Sequence, residues 1–202
     1  LTPWRRGVGM VLDAVLAPQC LSCGAISEGT LAGRVGTGGA GALCGDCWRE
    51  ASFIPGLVCD ACGIRLPGGI PPEHDEAAQC DACILAPQPW SKGRAAFLYE
   101  GTSRRMVLAL KHGDRQELAR PMAHWMVQSG RQLCQPDTLI APVPLHSRRL
   151  FSRRFNQSAL LAKHVAHALD LDVIPDLLTR NRATVLQEGM TLKERFENQK
   201  AA

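Results

Sequence analysis

Eight of the nine cysteines stand in four Cys-x-x-Cys pairs: Cys20/Cys23, Cys44/Cys47, Cys59/Cys62 and Cys80/Cys83. The gaps between successive pairs are 20, 11 and 17 residues. Two intervening residues let both sulfurs of a pair reach one metal from a tight turn, and two such knuckles complete a tetrahedron at Zn–S distances near ~2.3 Å. Pairs about 15–20 residues apart have zinc-ribbon spacing. Sequential pairing predicts one site from Cys20, Cys23, Cys44 and Cys47 and another from Cys59, Cys62, Cys80 and Cys83. An interleaved arrangement with a middle site is the alternative, and it leaves the outer pairs to close a much longer loop. Gly24, Gly45 and Gly63 lie in or beside knuckles, where positive φ is useful.

A disulfide framework would need an oxidising compartment. A redox Cys-x-x-Cys normally occurs once, at a strand–helix junction. Thiolates alone leave an iron–sulfur cluster open, but two structural zinc ions are the expected cofactors. Four thiolates leave no open coordination position, which argues against catalytic zinc. Gly33, Gly36, Gly38, Gly39 and Gly41 make Leu31–Leu43 a loop between knuckles, with no Gly-Lys-Ser/Thr of a phosphate cradle. Pro67–Pro72 plays the same part in the second ribbon. His74 is a spare ligand type in a solvated loop, and Cys134 reads as a small buried apolar residue.

The other chemistry-bearing cluster is basic. Arg148, Arg149, Arg153 and Arg154 fall within seven residues, after Pro142-Val143-Pro144-Leu145-His146 and before Phe155-Asn156-Gln157. Arginine binds phosphate by charge and by bidentate geometry, and a helix N-terminus adds N–H donors. His146 is a candidate acid/base or a structural hydrogen-bonding residue. No catalytic residue can be assigned. Phe151 and Phe155 are the local candidates for base stacking. Charge is divided along the 202 residues: 1–90 carry 5 Lys/Arg against 9 Asp/Glu, and 91–202 carry 18 against 10. The overall formal charge of +4 therefore belongs to the second part, where a polyanionic partner should be sought.

Around these residues the chain divides into three stretches. Trp4, Val8, Val11, Leu12, Val15 and Leu16 lie on one face of an amphipathic helix over 1–17 that ends before Pro18, a pattern preferred here to an export signal. Residues 18–90 form a double zinc ribbon. From 91 to 202 the order reads as strand Arg94–Tyr99, helix Ser103–Lys111 capped by Ser103, and helix Glu117–Gln128 with Pro121 near its start. Strand Thr138–Val143 and helix Ser158–Leu169 follow, then short strands at Val173-Ile174 and Leu177–Thr179. This is an α/β layer with partly parallel strands, whose ligands sit beyond the carboxyl ends of the strands. No run approaches the ~20 apolar residues of a membrane span, and a cytoplasmic location is expected.

The four knuckles resemble the double zinc ribbon of the ComF family of competence proteins. Tyr99-Glu100-Gly101, Leu110-Lys111-His112-Gly113-Asp114, Ala141–His146, Arg153–Gln157, Arg180, Thr184, Gln187, Glu194-Arg195 and Asn198 carry the resemblance to about the end of the chain. It implies a type I phosphoribosyltransferase-like parallel-sheet domain behind the ribbon. It further implies action in natural transformation or DNA use, on single-stranded DNA and with a helicase or processing partner. The loop Val143–Arg149 would then be a pyrophosphate loop, and Lys111–Arg115 and Thr179–Asn198 would line the cleft. The phosphate or nucleic-acid set so implied adds Lys111, Arg115, Asn156, Gln157, Arg180 and Arg195 to His146 and the four clustered arginines. The family's acidic pair and Thr-Thr-Gly, which hold phosphoribosyl pyrophosphate and Mg2+, have no counterpart in these residues. No phosphoribosyl transfer is expected from them; in a complete chain, transfer to an unidentified base is the alternative. Loss of central strands would leave Ser158–Leu178 short of a partner for its apolar face.

Overall fold

Each zinc ribbon begins with a narrow antiparallel turn. Gln19 bridges Ile26 around Cys20–Cys23, and Val58 bridges Arg65 around Cys59–Cys62. The same two hydrogen bonds close both turns: Cys20 N–H to the Ala25 carbonyl with Gly24 N–H to the Cys20 carbonyl, and Cys59 N–H to the Ile64 carbonyl with Gly63 N–H to the Cys59 carbonyl, all at 2.8 Å. The second half of each ribbon is a short helix, α1 over Gly45–Glu50 and α2 over Asp81–Leu85. The structure is a computed structural model and describes residues 19–26, 42–68, 78–200 and 202. The helix expected over 1–17, most of Leu31–Leu43, most of Pro67–Pro72 and His74 lie outside the described residues.

Helix α3 spans Gly101–His112 and buries Thr102, Met106 and Leu110 at four-residue spacing, with Ser103 beside them. Ser103 is not its cap. The helix begins two residues earlier, at Gly101, with no side-chain cap at Glu100, and Ser103 is 0% exposed inside it. The start is drawn back because the Thr102 hydroxyl donates to the Glu50 carboxylate of α1 at 2.8 Å. A 3-10 turn at Gln116–Leu118 leads into α4, Ala119–Gly130. Pro121 is the third residue of α4, within the first turn, where its missing N–H costs no intrahelical bond. A second 3-10 turn follows at Arg131–Leu133.

Helix α5 covers Ser147–Arg153 and α6 covers Gln157–Leu169. The last helix, α7, spans Leu192–Gln199. Helix α5 replaces part of the expected pyrophosphate loop, and α7 lies in a stretch where the apolar pattern marks no element. Neither carries an inward stripe: α5 buries none of its residues. Helix α7 is held by a capping box in which Thr191 and Glu194 exchange bonds with each other's backbone N–H.

The main core unites the two parts of the chain. Met106, Leu110, Leu118, Ala119, Met122 and Trp125 pack with Cys20, Leu43, Cys47 and Ala51 of the first ribbon. Phe53, Phe97, Phe155, Leu160 and Leu161 flank this cluster. Trp125 is its aromatic hub, with ring centroids 5.3 Å from Phe53, 6.2 Å from Trp48 and 6.4 Å from Phe97. The second ribbon has only a small cluster of its own, Cys59, Ala61 and Cys83 with Leu66 and Cys80.

The expected parallel sheet is reduced to single residue pairs. Phe53 pairs antiparallel with Phe97, and Ile140 pairs parallel with Val173. Ile140 N–H donates to Asp172 at 2.9 Å, and its carbonyl accepts from Ile174 at 3.0 Å. Pro142 and Pro144 on one side and Pro175 on the other remove the donors that would extend this ladder. Residues 177–179 form no strand. The second part is therefore helical among the described residues. Ile174, Leu177, Leu178, Val185, Leu186 and Phe196 are exposed, so apolar surface stays uncovered where the sheet would have closed.

Candidate metal centres and the basic arm

The cysteines are grouped sequentially. Cys20, Cys23, Cys44 and Cys47 bring their sulfurs within 4.8 Å of one another, and so do Cys59, Cys62, Cys80 and Cys83. Across the knuckles, Cys23 and Cys44 Sγ are 3.7 Å apart, and Cys62 and Cys80 Sγ are 3.8 Å apart. A tetrahedron with Zn–S of ~2.3 Å has S–S edges of about 3.8 Å. A disulfide would need about 2.05 Å. None of the nine cysteines is in a disulfide, and Cys134 is half-buried and outside both clusters.

Local structure explains how four sulfurs converge. In each ribbon the first pair sits on the tight turn, and the second straddles a helix start, with Cys44 and Cys80 as N-caps and Cys47 and Cys83 one turn in. N–H groups of that first turn lack intrahelical partners and are free to meet sulfur. Burial pushes the Cys20 thiol up, yet the N–H groups of Cys23, Cys44 and Ser22 outweigh it and bring it down to about 6. Cys59 is likewise brought to about 6 by N–H groups of Cys80 and Cys62 against the effect of burial. Burial, then the nearness of Cys80, Cys62 and Cys59, pushes Cys83 up to about 12. Cys20 and Cys59, one sulfur in each cluster, are thus ready to ionise, while Cys83 ionises only with a cation beside it. Two structural zinc ions fit these donor sets. Each would be held by four thiolates and would supply folding energy without an open position for chemistry.

The knuckle glycines separate by environment. Gly24 and Gly63 adopt φ of 76° and 74°; Gly45 is helical and plays no such role. A Cβ at Gly24 would meet nothing within 4 Å, whereas one at Gly63 would lie 2.8 Å from Ala95 N and 2.9 Å from Arg94 Cα. The second knuckle is docked on that segment. Arg94 pairs with Asp60 at 2.5 Å, the two side chains being 11% and 24% exposed, and Trp90 Nε1 donates to the Ala61 carbonyl at 2.7 Å. Gly24→Ala is expected to cost about 1 kcal/mol of left-handed strain and keep both metals. Gly63→Ala adds a backbone collision and is expected to loosen the second site. Titration with a chromophoric chelator checks this, and release at the same chelator concentration from both variants would refute the docking argument.

The basic residues form an arm. His146 caps α5, its Nδ1 accepting from Arg148 N–H at 3.3 Å. Asn156 caps α6 through Ser158 N–H at 2.9 Å while its amide donates to the Val143 carbonyl at 3.1 Å, closing the segment 143–156 on itself. Gln157 is buried and donates to the Lys111 carbonyl at 3.2 Å. Arg149 donates to the Thr184 carbonyl at 2.7 Å. Arg115 bonds Glu117 and reaches the Leu21 carbonyl at 3.3 Å. Arg180 meets Gln199 at 2.5 Å, and Arg195 Nε meets the Met190 carbonyl at 3.0 Å. The side chains of Lys111, Arg148, Arg153 and Arg154 form no hydrogen bond or ion pair among the described residues. The expected pyrophosphate loop is thus an irregular segment, 143–146, followed by the first turn of α5. Asn198, whose amide exchanges bonds with Val185 N–H and carbonyl at 3.3 and 3.1 Å, fastens the 180–191 segment to α7; only the Thr-x-x-Glu pattern ahead of α7 signalled this unit.

Residues 11–84 match the family model of the double zinc ribbon domain. The chain is 32% identical over 166 residues to the DNA utilization protein YhgH of Salmonella typhi, covering 79% of this chain and 69% of the relative. It is 29% identical over 168 residues to YhgH of Escherichia coli K12, with coverage of 79% and 69%. To competence protein F of Haemophilus influenzae it is 26% identical over 166 residues, with coverage of 79% and 68%. No solved structure matches. No helix among the described residues is long and apolar enough to cross a membrane. With a double zinc ribbon at one end and these relatives aligned over most of its length, the chain belongs to the ComF family.

Proposed function

We propose that this protein handles single-stranded DNA during DNA uptake and use, gripping phosphates through the α5 arm while the ribbon head docks a helicase or processing protein in the cytoplasm. Its relatives' names, DNA utilization protein and competence protein, place DNA in their work. The observation that carries the reading to this chain is charge without a local counterion. Residues 138–169 contain no Asp or Glu, and Arg148, Arg153 and Arg154 have no internal partner among the described residues. Their counterion is external, and a polyphosphate backbone suits them. Arg115, Arg149, Asn156, Gln157, Arg180 and Arg195 serve in this reading as positioning residues, with Lys111 a fourth phosphate contact.

The reading also takes 1–17, 18–90 and 91–202 as successive units, the last being phosphoribosyltransferase-like. Support for the last is the parallel pairing of Ile140 with Val173 immediately before the Pro-Val-Pro turn. The test is binding of oligo(dT) as a function of salt. The logarithmic slope is shallower by about 0.7 for each single-strand phosphate that the protein no longer neutralises. The triple variant Arg148→Ala/Arg153→Ala/Arg154→Ala is therefore expected to flatten the slope by about 2 units and to weaken binding most at low salt. A slope equal to that of the parent protein would count against the arm.

A further inference from the structure

Helix α5 has no residue in the core, so packing does not explain which side chains it presents. Phe151 at its centre is 91% exposed, more than any other large hydrophobic residue described. Phe155, the other aromatic residue in the arginine-rich stretch, packs against the main core. The two aromatics thus divide: one is used by the fold and the other is presented to solvent. Arg148 stands three residues before Phe151, one helical turn away, and Arg154 three residues after it at the helix end. Arg154 occupies the left-handed region at φ 65° and ends the helix three residues after Phe151.

Resting on the single-strand reading above, we propose that Phe151 is a base-stacking platform and that Arg148 and Arg154 hold the phosphates on either side of the stacked nucleotide. Arginines alone accept any polyanion: duplex DNA, polyphosphate or an acidic peptide. An exposed ring adds a preference that only an unpaired base satisfies, because bases in a duplex keep their faces against their neighbours. The pairing of ring and guanidinium at one-turn spacing matches alternating base and phosphate along a strand, and no carboxylate in 138–169 competes for the arginines. Sequence preference is expected to be slight, since every base has a face to stack.

The experiment compares zinc-loaded full chain with Phe151→Ala and Phe151→Trp, using labelled oligo(dT) and an abasic strand of equal length at several salt concentrations. The parent is expected to bind oligo(dT) about 5- to 100-fold more tightly than the abasic strand. Phe151→Ala should lower oligo(dT) affinity to the abasic level without altering the salt slope, and Phe151→Trp should restore the preference. If Phe151→Ala keeps the parent's preference for bases, the stacking role is overturned. If the parent binds both strands equally but with salt dependence, stacking falls while phosphate gripping stands. If neither strand is bound in a salt-dependent manner, the single-strand reading itself falls, and this proposal with it.

Discussion

Cys47→Ser is expected to abolish the cooperative unfolding transition of the whole protein, whereas Cys83→Ser should remove one zinc and leave that transition in place. The difference comes from what each sulfur touches. Cys20 and Cys47 belong to the same packed cluster as Met106, Leu110, Leu118 and Trp125, so an opened first site lets water into the main core. Cys59 and Cys83 instead belong to the small separate cluster with Ala61, Leu66 and Cys80. Structural zinc contributes about 10–16 kcal/mol in small peptides, while a whole domain is stable by about 5–15 kcal/mol. Loss of a zinc coupled to the core therefore exceeds what the fold has in reserve, and loss of the peripheral one melts only its own ribbon. Elemental analysis should give about two zinc per chain in the parent and about one in Cys83→Ser. Equal thermal midpoints for the two cysteine variants would show that the first site is not part of the core.

Trp125→Ala is the second large effect, with an expected cost of about 3–5 kcal/mol. Trp125 is 3% exposed and joins α4 to the ribbon aromatics Trp48 and Phe53 and to Phe97. Removing it opens a cavity among Trp48, Phe53 and Phe97. Its Nε1 has no hydrogen-bond partner among the described residues, so Trp125→Phe loses volume but no bond and should cost clearly less. Urea unfolding followed by far-ultraviolet circular dichroism measures both. A Trp125→Ala midpoint indistinguishable from that of the parent would mean that the aromatic contacts do not hold ribbon and helices together.

The parts of this fold that could be read from residues were those with short-range causes. Four Cys-x-x-Cys pairs announce metal because the two sulfurs of a knuckle are fixed by a few dihedrals, and the apolar spacing of Leu160, Leu161, Val165 and Leu169 announces α6. Helices α5 and α7 escaped because neither is formed by burying a stripe, although the Thr191/Glu194 box was visible in the letters. The strands failed for another reason: β propensity marks Ile140 and Val173 correctly, but Pro142, Pro144 and Pro175 restrict the ladder to a single pair. Among the candidate phosphate residues, composition could not separate free arginines from occupied ones. Arg149 is engaged by a carbonyl 35 residues away and Gln157 by one 46 residues away, contacts that exist only once the chain has folded.

The double duty of Asn156 has a consequence for how fast and how firmly the arm can act. A segment anchored at both of its ends, with a helix between, behaves as a stiff handle and not as a tether. Its backbone loses its freedom to wander during folding, so less further disorder has to be surrendered when a strand arrives. Severing the Val143–Asn156 tie would leave every arginine in place yet turn the handle into a loose flap, with weaker capture from the same charge.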